Sequence, residues 1–135
     1  MSGAPVGYSG RALPDKLGVK PGMTVVLAGA PAGFALTGVP TRRRLGGSAD
    51  LVLAFFTERR ALERRWPALT AAAGPAGAVW VAWPKRASGV PTDLTDNVIR
   101  EVVLPTGWVD TKVCAVDETW SGLKCVLRVA LRPRR

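Results

Sequence analysis

Apolar residues in this chain fall into short bounded runs separated by polar or Gly/Pro-rich stretches. Met23 to Ala28 (MTVVLA), Asp50 to Phe56 (DLVLAFF) and Ala78 to Trp83 (AVWVAW) are runs of buried-strand type. Trp108 to Val116 and Leu123 to Leu131 read as two further strands, and Arg42 to Leu45 as a minimal edge strand. Between them lie two stretches of helical period. In Glu58 to Ala73, Leu62, Trp66, Leu69 and Ala73 recur on one face, with Pro67 expected to kink or restart the helix. In Asp93 to Leu104, Val98, Ile99, Val102 and Val103 share a face, and Asp93 or Thr95 is placed to cap the start. A short helix around Pro14 to Leu17 is framed by Pro at its start and Gly18 past its end.

Strands alternating with helices predict a mainly parallel sheet. The last two strands lie too close for a crossover, so they form an antiparallel hairpin. The expected fold is a small Rossmann-like α/β three-layer sandwich. Its parallel sheet closed by a C-terminal antiparallel hairpin looks like a truncated class I methyltransferase-like domain. Residues 1–22 read as an N-terminal arm, 23–131 as the single domain and 132–135 as a basic tail. Trp80 and Trp83 stand an odd number of residues apart and should face opposite sides of the sheet.

Composition narrows the chemistry. A chain of 135 residues with 47% apolar content is one domain with a sizeable core. There is no histidine, which excludes Ser-His and Cys-His nucleophile pairs and His-containing zinc sites. No metal site is expected. Two cysteines, no apolar run long enough to span a bilayer and no signal-like start predict a cytoplasmic protein without membrane contact. Nineteen Lys and Arg against ten Asp and Glu leave a net charge of +9. Such a balance suits polyanions, or a surface of solvated arginines.

Three segments carry a resemblance. Tyr8 to Gly22, Ala82 to Glu101 (AWPKRASGVPTDLTDNVIRE) and Val109 to Val126 (VDTKVCAVDETWSGLKCV) resemble a bacterial family catalogued as domain-of-unknown-function family 3052. The likeness covers nearly the whole chain and implies a one-domain bacterial cytoplasmic protein. It brings no activity with it.

Ligands of open α/β sheets bind beyond the carboxyl ends of the parallel strands. After the first strand the chain reads Ala28-Gly29-Ala30-Pro31-Ala32-Gly33-Phe34. The glycine spacing differs from a dinucleotide turn and Pro31 intrudes. The second strand ends on Arg42, Arg43 and Arg44 instead of the acidic residue that holds a ribose. Ordinary S-adenosylmethionine or NAD binding is therefore disfavoured, and no cofactor is expected. Lys85 and Ser88, in the loop before a helix near Asp93, suit a phosphate or carboxylate, or form a plain solvated loop. Asp117, Trp120 and Lys124 crowd one turn, where Trp120 can stack a ring and Asp117 accept from a ribose; equally, the turn is structural, with Lys124 paired to Asp117.

These six residues predict a non-catalytic domain that binds a small anionic ligand or a protein partner on that rim. Two alternatives stand beside it. One is a nucleic-acid-associated protein acting through Arg42, Arg43 and Arg44. The other is an enzyme of unrecognised type using Asp117 or Lys85. A hairpin centred between Thr119 and Trp120 would make Cys114 and Cys125 cross-strand neighbours, either close enough for a disulfide or simply two buried thiols.

Overall fold

A computed structural model of the protein describes residues 12–133. The arm up to residue 11 and the last two arginines of the tail lie outside the described residues. Helix α1 spans Leu13–Leu17, β1 Val25–Ala28, β2 Thr41–Arg42 and β3 Leu51–Phe55. Helix α2 follows at Arg59–Ala73, then β4 at Ala78–Pro84, α3 at Asp96–Val103, β5 at Trp108–Ala115 and β6 at Trp120–Leu127. The strands form one six-stranded sheet in the order β2-β1-β3-β4-β6-β5. The first four are parallel; β6 lies antiparallel to β4, and β5 antiparallel to β6. The expected α/β fold, a parallel sheet closed by a C-terminal hairpin, is the one observed.

Strand alternation sorts the core into two faces. Val26, Ala28, Val52, Ala54, Val79, Val81, Leu123 and Cys125 face α2 and α3. The helices answer with Leu62, Trp66, Leu69, Ile99 and Val103. Val25, Leu27, Leu51, Leu53, Phe55, Trp80 and Ala82 face the other way, where α1 and the 29–40 connection cover them. Trp80 and Trp83 do fall on opposite faces. Trp80 is fully buried, and its indole Nε1 donates to the carbonyl of Leu17 at 2.9 Å. That bond satisfies a carbonyl at the end of α1, where helices leave acceptors unpaired. Helix α1 is thereby fastened to the middle of the sheet.

Several boundaries differ from expectation for identifiable reasons. Helix α2 runs through Pro67 without a restart, anchored on both sides of it by Leu62, Trp66 and Leu69. Helix α3 begins at Asp96, not Asp93, because Thr95 is its cap: the Thr95 hydroxyl accepts from the Val98 N–H at 3.1 Å. Asp93 caps a different helix. Its Oδ1 accepts from the N–H of Arg59, the first residue of α2, at 2.7 Å. Strand β6 starts at Trp120, and residues 129–131 form a short 3-10 turn instead of more strand.

The hairpin register corrects the cysteine expectation. Cys114 sits opposite Gly122, and Cys125 opposite Asp110. The turn is centred earlier than Thr119, and a bulge between Asp110 and Lys112 shifts the register once more. Cys125 belongs to the α2/α3 face and Cys114 packs against the α1 face, so the sheet separates the two thiols. Both are free. Burial pushes both thiols up, that of Cys125 to about 12.

Candidate functional site

From β1 the chain passes to β2 on one side, then returns across β1 to β3 on the other. The gap between β1 and β3 is therefore a topological switch point, where open α/β sheets hold their ligands. Gly29, directly after β1, has a φ of 67°, and a Cβ there would stand 3.2 Å from the Phe55 carbonyl. Only glycine combines that backbone with so close an approach between the ends of β1 and β3.

A hollow of about 500 Å³ opens beside this rim on the α1 side, with Leu13 of α1 among its lining residues. One wall is the loop from Pro31 to Ala35; the other is the β5–β6 turn, with Val116, Asp117, Thr119 and Trp120. Two rings line it, Phe34 and Trp120, and Phe55 packs against both. Phe55, the last residue of β3, meets Phe34 edge-on at 4.9 Å and Trp120 edge-on at 5.1 Å between centroids. The turn is internally braced. Asp117 Oδ1 accepts from the N–H groups of Thr119 and Trp120, both at 2.8 Å. The Lys85 N–H donates to the Thr119 carbonyl at 2.8 Å, tying the turn to the end of β4.

A second hollow, of about 590 Å³, opens beside the end of β4. Lys85, Arg86, Thr92, Thr95, Asp96 and Ser121 are among its lining residues. It lies toward the α2/α3 side, whereas the first lies toward α1.

The six candidate residues are thus divided. Asp117 and Trp120 share the first hollow and Lys85 lines the second. The Ser88 hydroxyl is turned onto its own loop, donating to the Lys85 carbonyl at 2.6 Å and accepting from the Val90 N–H at 3.2 Å. Asp93 holds the start of α2. Lys124 is four residues down β6 from the rim, opposite Trp80 and beside Gly18. It does not reach the turn to pair with Asp117. The arginine run serves the fold in two of its three members. Arg42 donates to the carbonyls of Arg44, Gly46 and Ser48 at 3.0, 2.8 and 2.9 Å. Arg43 donates to that of Phe34 at 3.2 Å, and Arg44 is exposed.

Sequence reasoning passes over Phe34, which lines the first hollow, and Phe55, which packs against Phe34 and Trp120. The usable signal was their place: one in the loop after β1, the other at the carboxyl end of β3. No group of His, Cys, Asp and Glu side chains among the described residues is arranged to hold a metal ion. No helix among them is long and apolar enough to cross a membrane.

Comparison with solved structures gives the fold's relatives. The chain is similar to magnesium protoporphyrin IX methyltransferase from Synechocystis PCC 6803 with bound SAM, at 14% identity and a TM-score of 0.58, over 79% of this chain and 71% of that one. It is similar to a ribosomal protein L11 methylase from Lactobacillus delbrueckii subsp. bulgaricus, at 15% identity and a TM-score of 0.58, over 86% and 75%. It also matches the DhpI–SAH complex, at 14% identity and a TM-score of 0.52, over 78% and 77%. No family model and no curated protein matches the chain, so the resemblance to the bacterial family rests on its quoted segments alone.

The structural relatives establish a methyltransferase-like fold, and they correct the functional expectation. The six rim residues predict a non-catalytic domain for an anionic ligand or protein partner, and the irregular β1 loop and the arginines at β2 disfavour S-adenosylmethionine. Two of these three relatives are instead a methyltransferase and a methylase, and SAM or SAH is bound in two of the three structures.

Proposed function

We propose that this domain is a methyltransferase that binds S-adenosylmethionine in the hollow between the loop after β1 and the β5–β6 turn. The observation that carries the reading is the position of that hollow. It is bordered by the loop after β1 and the β5–β6 turn, at the carboxyl rim of a sheet of methyltransferase type.

The donor set suits a nucleoside. Asp117 offers a carboxylate to hydroxyl or amino donors, and Phe34 and Trp120 offer apolar ring surface to a base. The loop from Gly29 to Gly33 carries two glycines of positive φ, which let backbone come close to a ligand. S-adenosylmethionine, when bound, supplies an electrophilic methyl group on a sulfonium. The work of this chain is to hold the nucleoside, keep its orientation and exclude water from one side of it. Phe55 fixes the two flanking rings, and the braced turn fixes Asp117, so the walls are set before a ligand arrives.

Calorimetric titration of the full-length protein with S-adenosylhomocysteine tests this, with NAD and ATP as controls. The expected result is saturable one-to-one binding that raises the melting temperature, about 2.7 kcal/mol of stabilisation at a hundred times Kd. No heat and no shift up to millimolar ligand would overturn the reading.

A further inference from the structure

We propose that Asp117, in the β5–β6 turn, is the carboxylate that receives the ribose hydroxyls of the bound nucleoside, a role that Rossmann-type sites give to an acidic residue beyond the second strand. This rests on the reading that the hollow takes an S-adenosyl nucleoside, and it names the residue that selects the sugar.

The usual position is unable to serve. Between Gly29 and Ala49 the chain contains no Asp or Glu. The residue that ends β2, Arg42, spends its guanidinium on three backbone carbonyls. Asp50 comes next, but at the amino end of β3, where its Oδ2 accepts from the Thr24 N–H at 2.7 Å. It belongs to the opposite end of the strands from the hollow.

Among the described carboxylates, Asp117 is the one that lines this hollow. Its two hydrogen bonds both fall on Oδ1, and Oδ2 makes none within the described residues. One oxygen therefore sets the direction of the group, and the other keeps its lone pairs for a ligand. A cis-diol presents two donors to such an acceptor, and a carboxylate pinned through one oxygen loses little entropy on taking them. Trp120 and Phe34 border the same space, so a base and its sugar find apolar and accepting surface side by side.

The test is the Asp117→Asn variant of the full-length protein. Asparagine keeps an Oδ1 that accepts from Thr119 and Trp120, and so keeps the turn. It replaces the free carboxylate oxygen with a donor. The readouts are the melting temperature and the Kd values for S-adenosylhomocysteine, adenosine and 2′-deoxyadenosine. The expected result is an unchanged melting temperature and S-adenosylhomocysteine affinity lower by about ten- to a hundredfold. The wild-type preference for adenosine over 2′-deoxyadenosine should also be lost. Equal affinity of variant and wild type overturns the assignment while leaving the nucleoside reading intact. Failure of the wild type to bind S-adenosylhomocysteine overturns both. Should the variant fold poorly, the wild type decides alone: equal affinity for adenosine and 2′-deoxyadenosine removes the ribose contact.

Discussion

Replacing Trp80 with Phe probes the bond that joins α1 to the sheet. Trp80 is 0% exposed, and Leu17, whose carbonyl it holds, is equally buried. Phenylalanine leaves that carbonyl without its donor, at a cost of about 1–3 kcal/mol for an unsatisfied buried acceptor. It also removes three heavy atoms from a packed core, about another 1–2 kcal/mol. The expected loss is about 2–5 kcal/mol, a large share of what a domain of this size has. Urea unfolding followed by far-UV circular dichroism measures it through the midpoint at constant m. A second substitution separates the ring from the hydrogen bond. A Cβ at Gly122 would lie 3.1 Å from Trp80 Cε3 and 3.1 Å from Val116 Cγ2. Gly122→Ala should therefore destabilise the wild type. In the Trp80→Phe background, where the Cε3 contact is gone but the Val116 contact stays, it should cost less, a coupling of about 0.5–3 kcal/mol. A loss below about 1 kcal/mol for Trp80→Phe, or strict additivity with Gly122→Ala, would refute the packing described for this face.

Asp93→Ala should cost about 0.5–2 kcal/mol by removing the acceptor for the first N–H of α2. Thermal or urea denaturation checks it, and Asp93→Asn, which retains an accepting oxygen, should recover most of the loss. Cys125 gives a pH dependence of determined sign. Its folded thiol is pushed up to about 12, by burial first and then by Asp110, from an ordinary value of 9.0. Between those values the unfolded chain has released the proton and the folded chain has kept it. The stability tied to the neutral thiol is complete below about pH 9 and declines above it, by up to about 1.4 kcal/mol per pH unit. The destabilisation measured for Cys125→Ala at pH 7 should accordingly shrink by pH 10.5; a constant difference would contradict the buried, protonated thiol.

The elements were legible because their patterns are strong, whereas the site depended on registers the pattern does not carry. Runs such as Val25 to Ala28 and Leu51 to Phe55 have no polar member, so two-sided burial follows from composition alone. The Leu62, Trp66, Leu69 and Ala73 stripe likewise dictates which side of α2 meets the sheet. A hairpin is different, because a displacement of its turn changes every cross-strand partner. The Asp117 carboxylate places the turn by holding the Thr119 and Trp120 N–H groups, and the bulge near Asp110 adds a second shift. Neither is visible in hydropathy, and together they put Cys114 and Cys125 on opposite faces.

The same limit explains why six candidate residues, close in two segments, do not make one site. Lys85 and Asp117 both belong to the carboxyl rim, but the paired ends of β4 and β6, Pro84 opposite Trp120, stand between the two hollows. Lys124 is near Asp117 in sequence, yet four residues of extended strand carry it about 13 Å from Trp120 at the rim. Asp93 was a reasonable cap by position, and it caps, but across space to α2. The rings reverse the pattern: Phe34 and Phe55 are 21 positions apart in the chain and 4.9 Å apart at the rim. Proximity at the switch point is created by the strand order, which brings the end of β1 against the end of β3 and the β5–β6 turn over toward them. A ligand there would meet residues from three distant segments, with Asp117 the one carboxylate of the described chain facing that hollow. Negative charge at this hollow therefore comes from the side of the sheet away from β2, and on this reading a nucleoside that enters takes its acidic partner from the hairpin turn.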